Sequence, residues 1–245
     1  MIIDGKKIAE EIIAGLGSSL KGKKLGLVVG TEDPATKSFV RIKTRVAERL
    51  GVEVVHGELK SLIKTCDGII VQLPHPNADE LIAKLPPEKD VDAVGLPSAG
   101  GALVHTPVAE AISEIFVRAG VAAAGKKAVV VGKGRLVGKP AAELLQSLGA
   151  HVTVITQTSG SLEELQDADI LVLGAGSPGL VSPDMVKEGV VLIDAGTSEA
   201  GGKLVGDAQP GCAHVASVFT PVPGGVGPIA VAMIFKNLLE LAKRK

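Results

Sequence analysis

The chain has 245 residues, 46% of them hydrophobic, with 26 Lys and Arg against 27 Asp and Glu. That balance leaves no basic field for a polyanion, so nucleic acid is not an expected partner. No apolar run approaches the ~20 residues that cross a bilayer, so no membrane is expected either. Tyr and Trp are absent and Phe numbers four, which removes most stacking platforms for bases. Cys66 and Cys212 are too few for a disulfide framework or a zinc cluster. They read as small buried thiols in a reducing cytoplasm, and no metal is expected. The opening MIIDGKKIAEEI lacks the charged-then-apolar order of a signal peptide and reads as mature protein.

Taken in chain order, β-rich apolar runs alternate with helical patterns, the signature of α/β architecture with parallel sheets. Strands are expected at Leu25–Val29, Val52–His56 and Gly68–Leu73. Thr36–Leu50 has helical spacing, with Phe39, Ile42, Val46 and Leu50 on one side, and Pro107–Ala119 reads as another helix. A second unit opens at Lys127–Gly132 with a strand, a glycine loop, a helix over about 137–148 and a strand at His151–Thr156. Strands at Asp169–Leu173 and Val190–Asp194 continue a doubly wound nucleotide-binding domain. A last helix over Ile229–Leu241 is expected to cross back onto the first domain.

The loop before that helix, Thr220-Pro221-Val222-Pro223-Gly224-Gly225-Val226-Gly227-Pro228, has its backbone shape set in advance by proline and glycine. A ligand-facing loop is the expected role, and a plain turn is the alternative. The glycine loop Gly132-Lys133-Gly134-Arg135-Leu136-Val137-Gly138 is one residue longer than the usual dinucleotide fingerprint. It can still turn tightly at Gly132, admit a ligand at Gly134 and set phosphate over a helix N-terminus. The strand that follows ends in Thr156-Gln157-Thr158-Ser159, without the acidic residue that takes a ribose hydroxyl in NAD sites. Lys133, Arg135 and the hydroxyls of Thr158 and Ser159 can instead surround a 2′-phosphate, so NADP is expected over NAD. Three further residues stand out: Lys43 on a helix, Gln72 at a strand end in VQLPHP, and Asp92 in PEKDVDAV. A helical lysine is usually a solvated charge and Asp92 can be a turn residue. A lysine partly buried at the carboxyl end of a parallel strand would have a lowered pKa and exchange protons near neutrality.

The segments IIDGKKIA, SFVRIKTR, DGIIVQLPHP, PEKDVDAV, VVVGKGRLVGKP, ADILVLGAGSPGLV, VLIDAG, VGDA and TPVPGGVGP occur in this order along the chain. In them the sequence resembles the methylenetetrahydrofolate dehydrogenase/cyclohydrolase (FolD) family over nearly its whole length. The resemblance implies an N-terminal α/β folate-binding domain, residues 1–106 with 221–245, and a Rossmann-like NAD(P)-binding domain, residues 107–220. It implies a cleft between the domains and a cytoplasmic homodimer in one-carbon metabolism and purine biosynthesis. The implied reaction is oxidation of 5,10-methylenetetrahydrofolate to the methenyl form and hydrolysis to 10-formyltetrahydrofolate. Carried onto this chain, Lys43 matches the general acid/base, Gln72 its tuning partner, and Asp92 the aspartate on the pterin amino edge. The resemblance sets the substrate against Phe39, Val71, Leu73, Pro74, Pro223, Gly224 and Gly225. It sets NADP against Gly132, Lys133, Gly134, Arg135, Gly138, Thr156, Gln157, Thr158, Gly174, Ala175, Thr197 and Thr220.

The chain also departs from the family pattern. The segment before VQLP is cut to Gly57–Thr65, and the entry to the interdomain helix is reduced to His105-Thr106-Pro107. Ala93 replaces a glycine, Lys133 an arginine, Gly134 and Gln157 serines, and Phe39 a tyrosine. Alternatives to the bifunctional reading are a dehydrogenase without hydrolase activity, an enzyme for a modified pterin or a small hydroxy acid, and a silent folate- or nucleotide-binding paralogue.

Overall fold

The computed structural model describes residues 1–95 and 103–244. The chain forms two compact units: Ala9–Pro107 with Val231–Lys245, hereafter the first unit, and Met1–Ile8 with Val108–Ala230, the second. This division differs from the expected one at residues 1–8 and 221–230, which belong to the second unit, and at Pro107, which belongs to the first. Backbone hydrogen bonds explain why: Ile3 N donates to Phe219 O and Gly5 N to Gly224 O, each at 2.9 Å.

The chain begins with α1 (Gly5–Leu16), β1 (Lys24–Val29), α2 (Pro34–Leu50), β2 (Glu53–His56), α3 (Leu59–Thr65), β3 (Gly68–Gln72) and α4 (Ala78–Lys84). The three strands pair in parallel in the order β2-β1-β3, so β2 and β3 add on opposite sides of β1 and the strand order reverses there. Ligands of open α/β sheets gather at such a switch point, beyond the carboxyl ends of the strands. The start of α2 is fixed by Asp33, whose Oδ1 accepts Thr36 N at 2.9 Å and whose Oδ2 accepts the Thr36 and Thr31 hydroxyls. Pro34 in the first turn adds no unpaired donor. Gly51, in the left-handed region at φ 68°, ends the helix and donates to Ala47 O and Glu48 O. One core gathers Leu25, Leu27 and Ile70 of the sheet with Ile13 of α1 and Ala47 of α2. Val28, Ile69 and Val71 point the other way, into a second cluster with Leu59, Leu62 and Ile82 of α3 and α4.

Next come α5 (Pro107–Ala119), β4 (Lys127–Val131), α6 (Gly138–Ser147), β5 (His151–Ile155), β6 (Ile170–Leu173) and β7 (Val191–Asp194). The short strands β8 (Ser198–Ala200), β9 (Lys203–Val205) and β10 (Val218–Phe219) follow, then α7 (Val226–Ala242). The five-stranded parallel sheet runs β10-β7-β6-β4-β5, with its switch point between β4 and β6. Strands β8 and β9 form a separate antiparallel pair. Cys66 and Cys212 are buried and free. No helix among the described residues is long and apolar enough to cross a membrane.

Each expected strand is found to within a residue at either end. Helices α1 and α4, the β8–β9 pair and β10 are not anticipated from sequence. Helix α7 starts at Val226, three residues before the expected Ile229, because Pro228 falls in its first turn, where a missing N–H costs nothing. In the first unit, Ala232, Phe235 and Leu238 of α7 are fully buried against the same core as Leu25 and Ile70. Asn237, 3% exposed, donates through Nδ2 to Val91 O at 2.9 Å and His105 O at 2.8 Å. It thereby ties α7 to the loop that carries Asp92. Asn237→Leu leaves both carbonyls without that donor, and each unsatisfied group costs about 1–3 kcal/mol. Urea unfolding should register the loss. A change under about 0.5 kcal/mol, the size expected at a surface position, would contradict this account.

Candidate active site

In α2 the buried positions Thr36, Lys43, Ala47 and Leu50 recur at helical spacing. Lys43 therefore occupies a slot on the inward stripe that an apolar residue would ordinarily fill. Its side chain crosses to the end of β3, where Nζ donates to Gln72 Oε1 at 2.7 Å. Gln72 is itself 6% exposed, and its Nε2 donates to Leu73 O at 2.7 Å. With the nitrogen engaged there, the amide can present only its oxygen to the lysine, so Gln72 orients Lys43 as an acceptor. Asp92, also buried, acts on Lys43 through its charge.

Burial sets the proton affinities here. Desolvation pushes the Lys43 amine below the ordinary lysine value, and the charge of Asp92 opposes part of that fall. Desolvation raises the Asp92 carboxyl, against the opposing charge of Lys43. The arrangement is a buried amine that can hold or release a proton, fixed by one neutral acceptor and faced by one acid.

The other expected substrate residues divide by what they can offer. Phe39 is half-buried one turn before Lys43, and Leu73 and Pro74 follow Gln72 directly, with the Leu73–Pro74 bond cis. The Val71 side chain is 2% exposed inside the cluster under α3 and α4, which leaves its main chain to meet a ligand. A cavity of about 760 Å³ lined in part by Val28, Leu59, Ile63 and Leu81 opens on that side and contains none of Lys43, Gln72 and Asp92.

Pro223, Gly224 and Gly225 belong to the second unit. Pro223 is exposed, and Gly224 lies at φ 107°. Gly225 is buried, its N–H donates to Pro221 O at 2.7 Å, and a side chain on Gly5 would strike its carbonyl oxygen. It seats the loop on the IIDG segment.

In the second unit the glycine loop leaves β4 at the switch point. Gly132, at φ 105°, faces Gly174 O so closely that a side chain would collide with it, and a side chain on Gly138 would strike Gly132 O. Gly132 N donates to Ile155 O at 2.8 Å, which ties the loop to the end of β5. Beyond Gly134 the space is open, Lys133 and Arg135 are exposed, and α6 starts without a side-chain cap. At the end of β5 the Thr156 hydroxyl shares hydrogen bonds with Ser159 Oγ at 2.8 Å and Thr158 Oγ1 at 3.4 Å, beside exposed Gln157. Hydroxyls and a lysine make a donor set for a phosphate.

Two carboxylates that sequence reasoning passed over build the neighbouring loops. Asp194, at the end of β7, accepts the N–H groups of Gly196 at 2.9 Å, Asp207 at 3.2 Å and Ala208 at 2.8 Å. Burial raises its pKa to about 6 against these bonds. Asp207, fully buried, accepts from Ala175 at 2.7 Å, Gly176 at 3.1 Å and Ser177 at 2.7 Å. The signal was present: VLIDAG and VGDA are short polar interruptions after apolar strands, and Gly196 and Gly206 have no room for a side chain beside these carboxylates.

Two expected cofactor residues take part in this bracing. The Ala175 N–H is spent on Asp207. The Thr220 hydroxyl, fully buried, accepts Asp194 N at 2.6 Å and donates to Asp194 O at 3.2 Å, so it braces β7. Thr197, next to Gly196, is exposed.

Comparison with known proteins gives two domain matches. Residues 3–92 match the catalytic domain of tetrahydrofolate dehydrogenase/cyclohydrolase, and residues 106–245 its NAD(P)-binding domain. The chain belongs to the tetrahydrofolate dehydrogenase/cyclohydrolase family. The bifunctional protein FolD of Halothermothrix orenii is 40% identical over 276 aligned residues, covering 99% of this chain and 98% of that relative. The bifunctional FolD structure from Campylobacter jejuni superposes with a TM-score of 0.91 at 28% identity, covering 100% of this chain and 99% of that one. The Trypanosoma brucei FolD structure, complexed with NADP cofactor and inhibitor, gives 0.87 at 30% identity, covering 100% and 97%.

The carboxylate relay of this family member has a direct test. In Asp207→Ala the amides of Ala175, Gly176 and Ser177 lose their acceptor, and hydrogen exchange at those three should accelerate by at least about tenfold, the equivalent of one hydrogen bond. Protection equal to the parent at all three would show that the loop holds itself.

Proposed function

We propose that this chain oxidises 5,10-methylenetetrahydrofolate to the 5,10-methenyl form with NADP as acceptor, then hydrolyses the product to 10-formyltetrahydrofolate. The observation that carries the reading is the 2.7 Å bond between buried Lys43 and Gln72, with Asp92 beside them, in a chain of this family. A buried amine of lowered proton affinity is what a proton-transfer step near neutrality requires.

In the second unit, NADP binding is supported by the phosphate-type donor set. Lys133 and the Thr156, Thr158 and Ser159 hydroxyls suit a 2′-phosphate, and Gly132 and Gly138 let the backbone approach the remaining phosphates. Arg135 adds charge on the same loop. When bound, NADP supplies the acceptor for the hydride that leaves the bridging carbon.

Hydrolysis falls to the first unit. Water adds to the bridging carbon of the methenyl cation as Lys43 takes one of its protons. The C–N5 bond then breaks as Lys43 returns that proton to N5, the hydroxyl proton leaves to solvent, and the formyl group remains on N10. Gln72 holds the amine in line throughout, and Asp92 binds the pterin amino edge. Phe39 offers a ring to the flat part of the substrate but no hydroxyl to the proton network, so hydrolysis is the weaker of the two activities. The homodimer and the cytoplasmic setting rest on the family likeness alone.

Lys43→Met keeps much of the chain length and removes the proton carrier. It should cut methenyl hydrolysis by about 10²–10⁴, the usual scale of general acid–base help, measured as loss of the methenyl absorbance. Hydrolysis at the parental rate would make Lys43 a bystander.

A further inference from the structure

Asp90 is a second aspartate of the KDVD segment, and its surroundings set it apart from a turn residue. It is 1% exposed and sits in an isolated parallel bridge with Ile69 beside β3. Its Oδ2 accepts Gly95 N at 2.9 Å, and its own carbonyl accepts Ala93 N at 3.3 Å. The N–H groups of Asp92 and Val94 also stabilise its charge, while Oδ1 is buried and, among the described residues, has no hydrogen-bond partner within bonding distance. Inside the same turn, Ala93 is held at φ 51°, among the described residues the one non-glycine in the left-handed region. That conformation costs an L-residue about 1–2 kcal/mol and does not persist without an anchor.

We infer that Asp90 is a positioning residue: its buried carboxylate clamps the 90–95 turn, left-handed Ala93 included, so that the Asp92 carboxylate stays turned toward Lys43. This inference rests on the reading of Asp92 as the pterin contact. A turn stabilised only for folding would gain by replacing a buried carboxyl that has an idle oxygen, since such a group is expensive to desolvate. Retaining it makes sense where a defined backbone outranks stability. Asn237 supports the same segment from α7 through Val91 O, and the Lys89 ammonium is engaged with Cys66 O at 2.6 Å. The Lys84 and Glu80 side chains of α4 pair with each other on the surface, so the charge that acts on Asp90 is that of Asp92. Burial and that neighbour together push its carboxyl up to about 6.

The test is steady-state kinetics on the full chain with methylenetetrahydrofolate and NADP. Asp90→Ala should raise the folate KM about tenfold, the equivalent of one charge-assisted hydrogen bond, with kcat within about threefold and the NADP KM unchanged. Adding Ala93→Gly, which relieves the left-handed strain, should recover at least about half of the lost affinity in free-energy terms. Asp92→Ala serves as the control and should raise the folate KM at least as much. A parental folate KM in Asp90→Ala beside a raised one in Asp92→Ala overturns the clamp and leaves the site reading intact. An unchanged KM in Asp92→Ala overturns the site reading itself. Folate and NADP KM rising together, or no rescue by Ala93→Gly, would show that Asp90 supports the fold at large and not the aim of Asp92.

Discussion

The burial of one amine organises the first unit. Lys43 sits on the inward stripe of α2 at 9% exposure, where water cannot solvate a full positive charge. Such a group must be neutral for much of the time, or be paired, or both. Gln72 supplies a neutral acceptor and Asp92 a charge, and the surrounding structure exists to keep both in place. The Asp33 cap and Gly51 fix the register of α2, the Leu73 carbonyl fixes the face of the Gln72 amide, and Asp90 with Asn237 fixes the strand-like segment that carries Asp92.

The second unit uses the same device with the sign reversed. Where the first unit buries a base beside its acids, Asp194 and Asp207 are here buried and serve the backbone. Asp194 gathers the N–H groups of Gly196, Asp207 and Ala208, and Asp207 gathers those of residues 175 to 177. Two loops at the carboxyl edge of the sheet are thus tied to β7 by side chains rather than by a ladder. The N–H groups so used are engaged within the protein. Glycine is required at 132 and 138 because these backbones pass within side-chain distance of their neighbours.

Much of this was legible in the sequence. Strands of continuous Val, Ile and Leu between glycines marked both parallel sheets, and the Gln72, Lys43 and Asp92 motifs pointed to three residues that the fold brings into one unit. What escaped is of two kinds. Short elements such as β10, two residues long, and the β8–β9 pair carry too few side chains to show a period. Residues that act on the backbone, Asp90, Asp194 and Asp207, leave no pattern of their own, because an aspartate in a loop is ordinarily a turn former. Their trace is indirect: glycines at 95, 196 and 206 that stand close to the carboxylates, and for Asp194 and Asp207 a polar break after an apolar run. The inward engagement of the Val71 side chain, the Thr220 hydroxyl and the Gly225 N–H is likewise set by the fold and leaves no mark in the sequence pattern.

The central claim is that Lys43 holds its proton weakly because it is buried, and that Asp92 moderates this. Titrating lysine labelled with 13C at Cε, with the Lys43 signal identified by its loss in Lys43→Met, measures it directly. The account predicts a Lys43 midpoint below the ordinary value of about 10.4, and a further fall in Asp92→Asn, where the opposing charge is gone. A Lys43 signal that titrates together with the surface lysines, or that moves upward in Asp92→Asn, would contradict it.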